Sequence, residues 1–296
     1  MASTTAIGWA DQTSNPIRVK DTETGELSGH WCRKSAPECA NCYAERLNLG
    51  TFFGWASGLP YTGAPPPLDL DRQELARWKR RRAQKTVFIG SMTDVFGEWI
   101  SPAWHLKILQ AAYEAHKQVS QFLTKWSSVA LGSITRWLDE VGISELPAYM
   151  MMGVSCGHPQ SLPKIDQLCA IPAATRFLSC EPLIGDVSLP VVTAAALGAP
   201  LGPEQGMSFP SSYIGTALGH IHWVIVGCES GDGARGHEDY QRRAWAIIQQ
   251  CQAYGVPCFH KQCAICKGGK WVVSTNPAEW PKHLRVQEMP EIEVPS

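Results

Sequence analysis

Three cysteines stand close together near the start of the chain, in Trp31-Cys32-Arg33-Lys34-Ser35-Ala36-Pro37-Glu38-Cys39-Ala40-Asn41-Cys42-Tyr43-Ala44-Glu45. Their spacing is C-x6-C-x2-C. Two intervening residues let the sulfurs of Cys39 and Cys42 turn to the same side, and Pro37 tightens the loop that leads back to Cys32. Thiolates are soft ligands that suit zinc or iron–sulfur clusters. A structural zinc takes four closed ligands, and His30 would complete a Cys3His set. A [4Fe–4S] cluster held by three cysteines keeps one iron open to a further ligand. A second group, Cys258, Cys263 and Cys266 at C-x4-C-x2-C, reads either as another metal or cluster site or as core cysteine with an incidental pair. Buried cysteine is the commoner use.

The elements that must position these residues follow from the pattern of apolar runs. Short β-branched or apolar runs at 86–90, 119–123, 149–154, 175–178, 222–226 and 256–260 alternate with helical stretches at 102–117, 127–141, 161–170 and 240–253. A further strand is expected near Ile7 and a helix start at 43–48. This alternation predicts an α/β fold with a parallel sheet and helical crossovers. Seven strands suit a partial or complete β/α (TIM-like) barrel carrying an N-terminal cysteine loop. Residues 1–275 read as a single β/α domain, with 190–219 as an insertion or loop. Residues 276–296 read as a Pro-rich acidic tail, an irregular or poorly ordered extension.

In a β/α barrel the working residues sit where strands end. Those positions hold Ser91-Met92-Thr93-Asp94, Thr124-Lys125, Ser155, Ser179-Cys180-Glu181-Pro182, Gly227-Cys228-Glu229-Ser230-Gly231 and Lys261-Gln262. Hydroxyls, carboxylates and lysines are thus expected at one rim. Ser, Thr and Asp also cap helices, so Thr93 and Asp94 fit capping and ligand binding equally well. Pro182 follows Glu181, and Lys is a poor N-cap, so Glu181 and Lys261 point to function.

With 296 residues the chain can bury a full core, and 44% hydrophobic content marks a globular protein. Lys+Arg total 26 against 27 Asp+Glu, a net charge of -1, which argues against attachment to nucleic acid by bulk charge. One local run, Arg72 to Lys85, is strongly basic and contains Trp78. It reads as a phosphate-contacting patch with an aromatic to stack on bases, or as a solvated helix face, the more frequent case. Eleven cysteines, an odd number in a chain of this size, fit a reducing compartment better than a disulfide framework. No membrane-spanning run and no secretory signal are apparent, so a cytoplasmic location is expected.

These motifs give the chain a resemblance. Cys32…Cys39-x-x-Cys42-Tyr43-Ala44, Ser91-Met92-Thr93-Asp94-Val95-Phe96, Phe122-Leu123-Thr124-Lys125, Gly153-Val154-Ser155, Arg176-Phe177-Leu178-Ser179-x-Glu181-Pro182-Leu183, Val226-Gly227-x-Glu229-Ser230-Gly231 and Lys261-Gln262 resemble a phage-associated family named after gene products thirty-seven and sixty-eight. Its members look like outlying radical S-adenosylmethionine (SAM) enzymes. The resemblance implies a [4Fe–4S] cluster on Cys32, Cys39 and Cys42, with SAM on the open iron. It implies reductive SAM cleavage that starts radical chemistry on an unidentified substrate, a nucleotide or DNA base of a phage being the candidate. It further implies SAM contacts from Tyr43, Ser91, Thr93, Asp94 and Ser155, and polar or acid/base roles for Lys125, Glu181, Glu229 and Lys261. An electron donor is the implied partner, with no membrane, in the host cytoplasm. The usual radical SAM loop is C-x3-C-x2-C with an aromatic residue before the last cysteine; here the first gap is six and that residue is Asn41. The alternative is a non-catalytic zinc-binding phage protein.

Overall fold

The computed structural model describes residues 3–5, 7–50, 56–80, 84–187, 189, 221–231 and 233–295. The expected insertion at 190–219 lies outside them. The chain divides into two compact units. One comprises Met1–Val154, Ile171–Thr175 and Glu291–Ser296; the other comprises Ser155–Ala170 and Arg176–Pro290.

The first unit holds β1 (Ser3–Thr4), β2 (Gln12–Ser14), β3 (Ile17–Lys20), β4 (Leu27–Ser28), α1 (Tyr43–Leu49), β5 (Leu68–Leu70), α2 (Arg72–Trp78), β6 (Thr86–Ile89), α3 (Pro102–Glu114), β7 (Val119–Thr124), α4 (Ser127–Val141) and β8 (Met150–Ser155). Strands β2, β6, β7 and β8 run parallel in that order, with β1 antiparallel on β2. A parallel sheet is covered on both faces, which is why these strands are apolar without alternation. All six residues of β8 are buried, as are Val87, Phe88 and Ile89 of β6. Helix α4 turns Ala130, Ile134, Trp137 and Leu138 inward, one face at helical spacing. It ends at Gly142, whose φ of 77° lets its N–H reach the Leu138 carbonyl at 2.8 Å.

The first strand differs from expectation. Residues near Ile7 form a turn that buries Trp9, and the strand itself is β2, five residues later. Helix α2 stops at Trp78, short of the end of the basic run. A separate antiparallel sheet, β4-β3-β5, is formed by residues among which the apolar-run pattern predicts no strand.

The second unit holds α5 (Pro163–Ala170), β9 (Arg176–Cys180), β10 (Trp223–Gly227), α6 (His237–Tyr254), β11 (Cys258–Lys267) and β12 (Lys270–Ser274). Strands β9, β10 and β11 are parallel, and β12 folds back antiparallel on β11. Every residue of β10 is buried. Helix α6 buries Tyr240, Ala244, Ile247, Ile248 and Cys251 and closes at Gly255, φ 67°. The fold is therefore mixed α/β with mostly parallel strands. No helix among the described residues is long and apolar enough to cross a membrane.

The Pro-rich tail is irregular as expected but well anchored. Trp280 and Leu284 are fully buried. The His260 N–H donates to Val286 O at 2.8 Å, and the Trp223 indole donates to Glu288 O at 2.9 Å. Two large apolar side chains provide what a segment rich in proline cannot obtain from ladder hydrogen bonds.

Candidate metal centre

The cysteine loop is framed from below by Asn48, a residue with no exposed surface. Its side-chain Oδ1 accepts the His30 backbone N–H at 3.0 Å. Its amide donates to Ser57 Oγ at 2.8 Å and to Leu59 O at 2.9 Å. Gly29 makes this closure possible. It has φ 54°, and a Cβ there would lie 2.2 Å from Ser57 N. A 3-10 turn over Pro37–Cys39 then carries the chain to Cys42, the N-cap of α1. Neither Asn48 nor Ser57 carries a motif; their role appears only once residues 30 and 57 are adjacent.

Cys39 is buried, while Cys32 and Cys42 are half-buried. The three thiols act on one another. Burial pushes the Cys32 thiol well above its usual range; Asp94's charge and those of Cys42 and Cys39 push the same way, and only the Asp94 backbone N–H opposes them. Cys42 is also raised by burial. Backbone N–H groups of Glu45 and Ala44 and the Lys125 ammonium favour its thiolate, while Cys39 disfavours it. Burial alone would depress Lys125. The negative potential of Cys39, Cys42, Asp94 and Glu38 outweighs it and holds the ammonium above its ordinary value. So three thiols, two carboxylates and one lysine form a single electrostatic group.

The strand ends of the first unit supply the rest. After β6, Gly90 (φ 81°) reverses the chain so tightly that a Cβ would meet Thr93 O at 2.6 Å. The Asp94 carboxylate accepts the Thr124 hydroxyl at 2.7 Å, the Lys125 N–H at 2.7 Å and the Phe96 N–H at 3.1 Å. Burial raises its pKa in spite of these donors and of the Lys125 charge. Asp94 therefore ties the end of β7 to the loop after β6. The Tyr43 hydroxyl donates to Ser91 O at 2.7 Å, joining the cysteine loop to that same loop. Ser91 also meets Asn15 at 3.1 Å. Thr93 is buried, and its hydroxyl has no hydrogen-bond partner among the described residues. Trp31, Tyr61 and Met92 form an apolar cluster against which Cys32, Cys42 and Trp99 pack. The Tyr61 hydroxyl donates to Met92 O at 2.7 Å, and burial beside Cys32 and Cys42 raises its pKa.

The other expected site residues belong to the second unit. Ser155 is buried at the end of β8. Glu181 and Lys261 form a direct ion pair, both largely buried. Gly227 lies under that pair, since a Cβ there would come 3.0 Å from Glu181 Cγ. Glu229 is buried and clasped by Arg235, which donates its backbone N–H (2.8 Å), Nε (3.0 Å) and Nη2 (2.7 Å). This carboxylate closes the loop leading into α6. Gln262 Nε2 donates to Cys228 O at 2.6 Å.

Among the described residues, no group of three or more His, Cys, Asp or Glu is set to hold a metal ion. The donor set around Cys32 nevertheless fits a sulfur-ligated group. It offers three thiols in mutual influence, thiolate-stabilising N–H groups and a cation, inside apolar walls. The second cysteine group is not gathered. Cys263 is buried and Cys266 exposed, three residues apart on β11, where successive side chains alternate between faces. The Cys258 thiol is hydrogen-bonded with Cys251, which is the main cause of its raised pKa. His30 is buried, with Nδ1 3.1 Å from Ile17 O. Burial, with Arg18 adding, lowers its pKa to about 4. The basic run is also changed in meaning. Trp78 is buried, with its indole on Ser14 Oγ at 2.8 Å, and is not available to stack on bases. Arg77 pairs with Glu74, Lys79 with Glu114 and Lys85 with Asp11.

Residues 4–285 match the model of a family described as a protein of unknown function, DUF5131. The chain belongs to this family. The match covers the cysteine loop, every strand end named above and the first part of the tail, so the DUF5131 model spans both units. No curated protein and no solved structure matches the chain.

Proposed function

We propose that this DUF5131 protein is an iron–sulfur enzyme of the radical SAM type, built on a partial or complete β/α barrel. The observation that carries the reading is the cysteine loop itself: Cys32 and Cys42 both pack against the apolar cluster of Trp31, Ala44, Tyr61 and Met92, and the charges of Cys39, Cys42 and Asp94 act on Lys125. Cys32, Cys39 and Cys42 would hold a [4Fe–4S] cluster. When bound, such a cluster supplies one-electron cleavage of SAM at its open iron. Lys125 offsets the negative charge of the thiolates. The N–H groups of Ala44 and Glu45 favour the Cys42 thiolate, and Trp31, Tyr61, Met92 and Trp99 exclude water. Tyr43, Ser91, Thr93 and Asp94 are the proposed SAM contacts of the first unit. Thr93 has an unspent hydroxyl to offer. Glu181 and Lys261 are the proposed acid/base pair. Glu229, committed to Arg235, is proposed to shape the pocket rather than to move a proton. The resemblance supports a nucleotide or DNA base as substrate, an electron donor as partner, and the cytoplasm as location.

The test is anaerobic reconstitution with iron and sulfide, reduction with dithionite, and chromatography for 5′-deoxyadenosine. The expected result is SAM-dependent formation of 5′-deoxyadenosine and methionine. A fully loaded, reduced protein that leaves SAM intact would remove the enzymatic reading.

A further inference from the structure

A groove of about 910 Å³ opens on the first unit, lined by residues of α2, α3 and α4. Its floor is apolar. Leu75, Ala111 and Trp137 are buried there, Leu106 is half-buried, and Ala76 is exposed. Its charges are uneven. Lys79 is paired with Glu114, and Glu140 with Arg136. Arg72, Arg80 and Lys107 also line the groove, are exposed, and form no salt bridge among the described residues. The groove therefore presents apolar surface beside Arg80 and Lys107, while the Arg72 charge acts on Asp69.

We propose that this groove docks an acidic amphipathic helix of a partner protein. An apolar floor between helices accepts the apolar face of a further helix, read at i, i+3/i+4 and i+7. Arg80 and Lys107, with Arg72 beside them, call for carboxylates on the flank of that helix, because opposite potentials steer association and fix register. On α3 the lining runs from Leu106 to Glu114, roughly 12 Å of helix axis, or about two turns of a docked helix. A polynucleotide is the poorer fit. The one lining aromatic, Trp137, is buried and offers no stacking surface.

The test is selection of a random peptide display library on the full-length chain. The enriched peptide is then made with a fluorescent label and titrated by anisotropy. The expected consensus has apolar residues at helical spacing and Asp or Glu on one flank. Its affinity should fall with added salt, because the paired charges are exposed. Ala76→Trp fills the floor at an exposed position, and the Arg72→Glu/Lys107→Glu double substitution reverses charge on exposed side chains. Each should weaken binding by on the order of tenfold; circular dichroism verifies that each variant folds, and the double substitution alone decides if Ala76→Trp does not. No helical acidic consensus, or a consensus peptide whose binding the substitutions leave unchanged, would overturn the proposal. So would a labelled single-stranded oligodeoxynucleotide that binds the full chain and is lost with the same substitutions, which would assign the groove to phosphate.

Discussion

The Asp94 carboxylate accepts the backbone N–H of Lys125 at 2.7 Å, and its other oxygen accepts the Thr124 hydroxyl at the same distance. The end of β7 and the loop after β6 are thus fastened by one side chain, which is also among the charges that act on Cys32. Replacing it tests whether the fastening holds the cysteine group. Asp94→Asn turns one acceptor into a donor facing donors. Hydrogen bonds to charged groups contribute about 1.5–3 kcal/mol, so a loss of roughly 2 kcal/mol is expected in urea unfolding of the metal-free protein. Iron uptake should fall with it.

Cys39→Ala should abolish iron binding and leave the far-ultraviolet circular dichroism unchanged, since one thiol contributes little to the core. Cys266→Ser, at an exposed position on β11, should leave iron content as in the parent protein. Equal iron in Cys39→Ala and parent would remove Cys39 from the ligand set.

Three buried histidines set the acid limit of stability. His30, His105 and His260 each have a pKa lowered to about 4 from 6.5, chiefly by burial. Above pH 6.5 each is neutral in both states, and stability does not depend on them. As pH falls from 6.5 to 4 the unfolded chain takes up protons that the folded chain refuses, so stability declines. The linkage is worth roughly 3 kcal/mol per histidine by pH 4. Urea midpoints measured across that interval should drop steeply, and His105→Gln should reduce the slope by about one proton. A flat profile down to pH 4.5 would contradict the buried neutral state.

Gly227→Ala would bring a Cβ to 3.0 Å from Cγ and 3.1 Å from Cδ of Glu181. The Glu181 side chain must then give by a few tenths of an ångström. Overpacking of this kind costs about 1–3 kcal/mol. Thermal unfolding should show the loss, and SAM cleavage should fall more than in Lys261→Arg, which keeps the charge.

Much of this architecture was legible because its strands are long apolar runs. Val119–Thr124 and Met150–Ser155 announce themselves by β-branched and apolar content, and Ser127–Val141 by helical spacing that ends on glycine. The small sheet was not legible, because Leu27–Ser28 and Leu68–Leu70 are too short to show a period and lie among loop residues. Trp9 misled the first strand; an apolar run around a tryptophan reads as β, yet here it is a turn packed against Phe88. At the site, the cysteines were legible from spacing. Asn48, Ser57 and Tyr61 were not, because each acts through a backbone group that only folding brings near. Trp78 illustrates the reverse error. A tryptophan among arginines suggests a base platform, but on a helix it takes the inward face while the arginines take the outward one.

The most direct test of the central claim is anaerobic purification of the full-length protein with iron, sulfide, zinc and absorption analysis. The account predicts about four irons and four sulfides per chain, with a broad band near 400 nm as an approximate marker of the cluster. Iron near eight would mean that Cys258, Cys263 and Cys266 gather after all, against their burial pattern on β11. Zinc without iron would contradict the account and assign Cys32, Cys39 and Cys42 to a closed structural site.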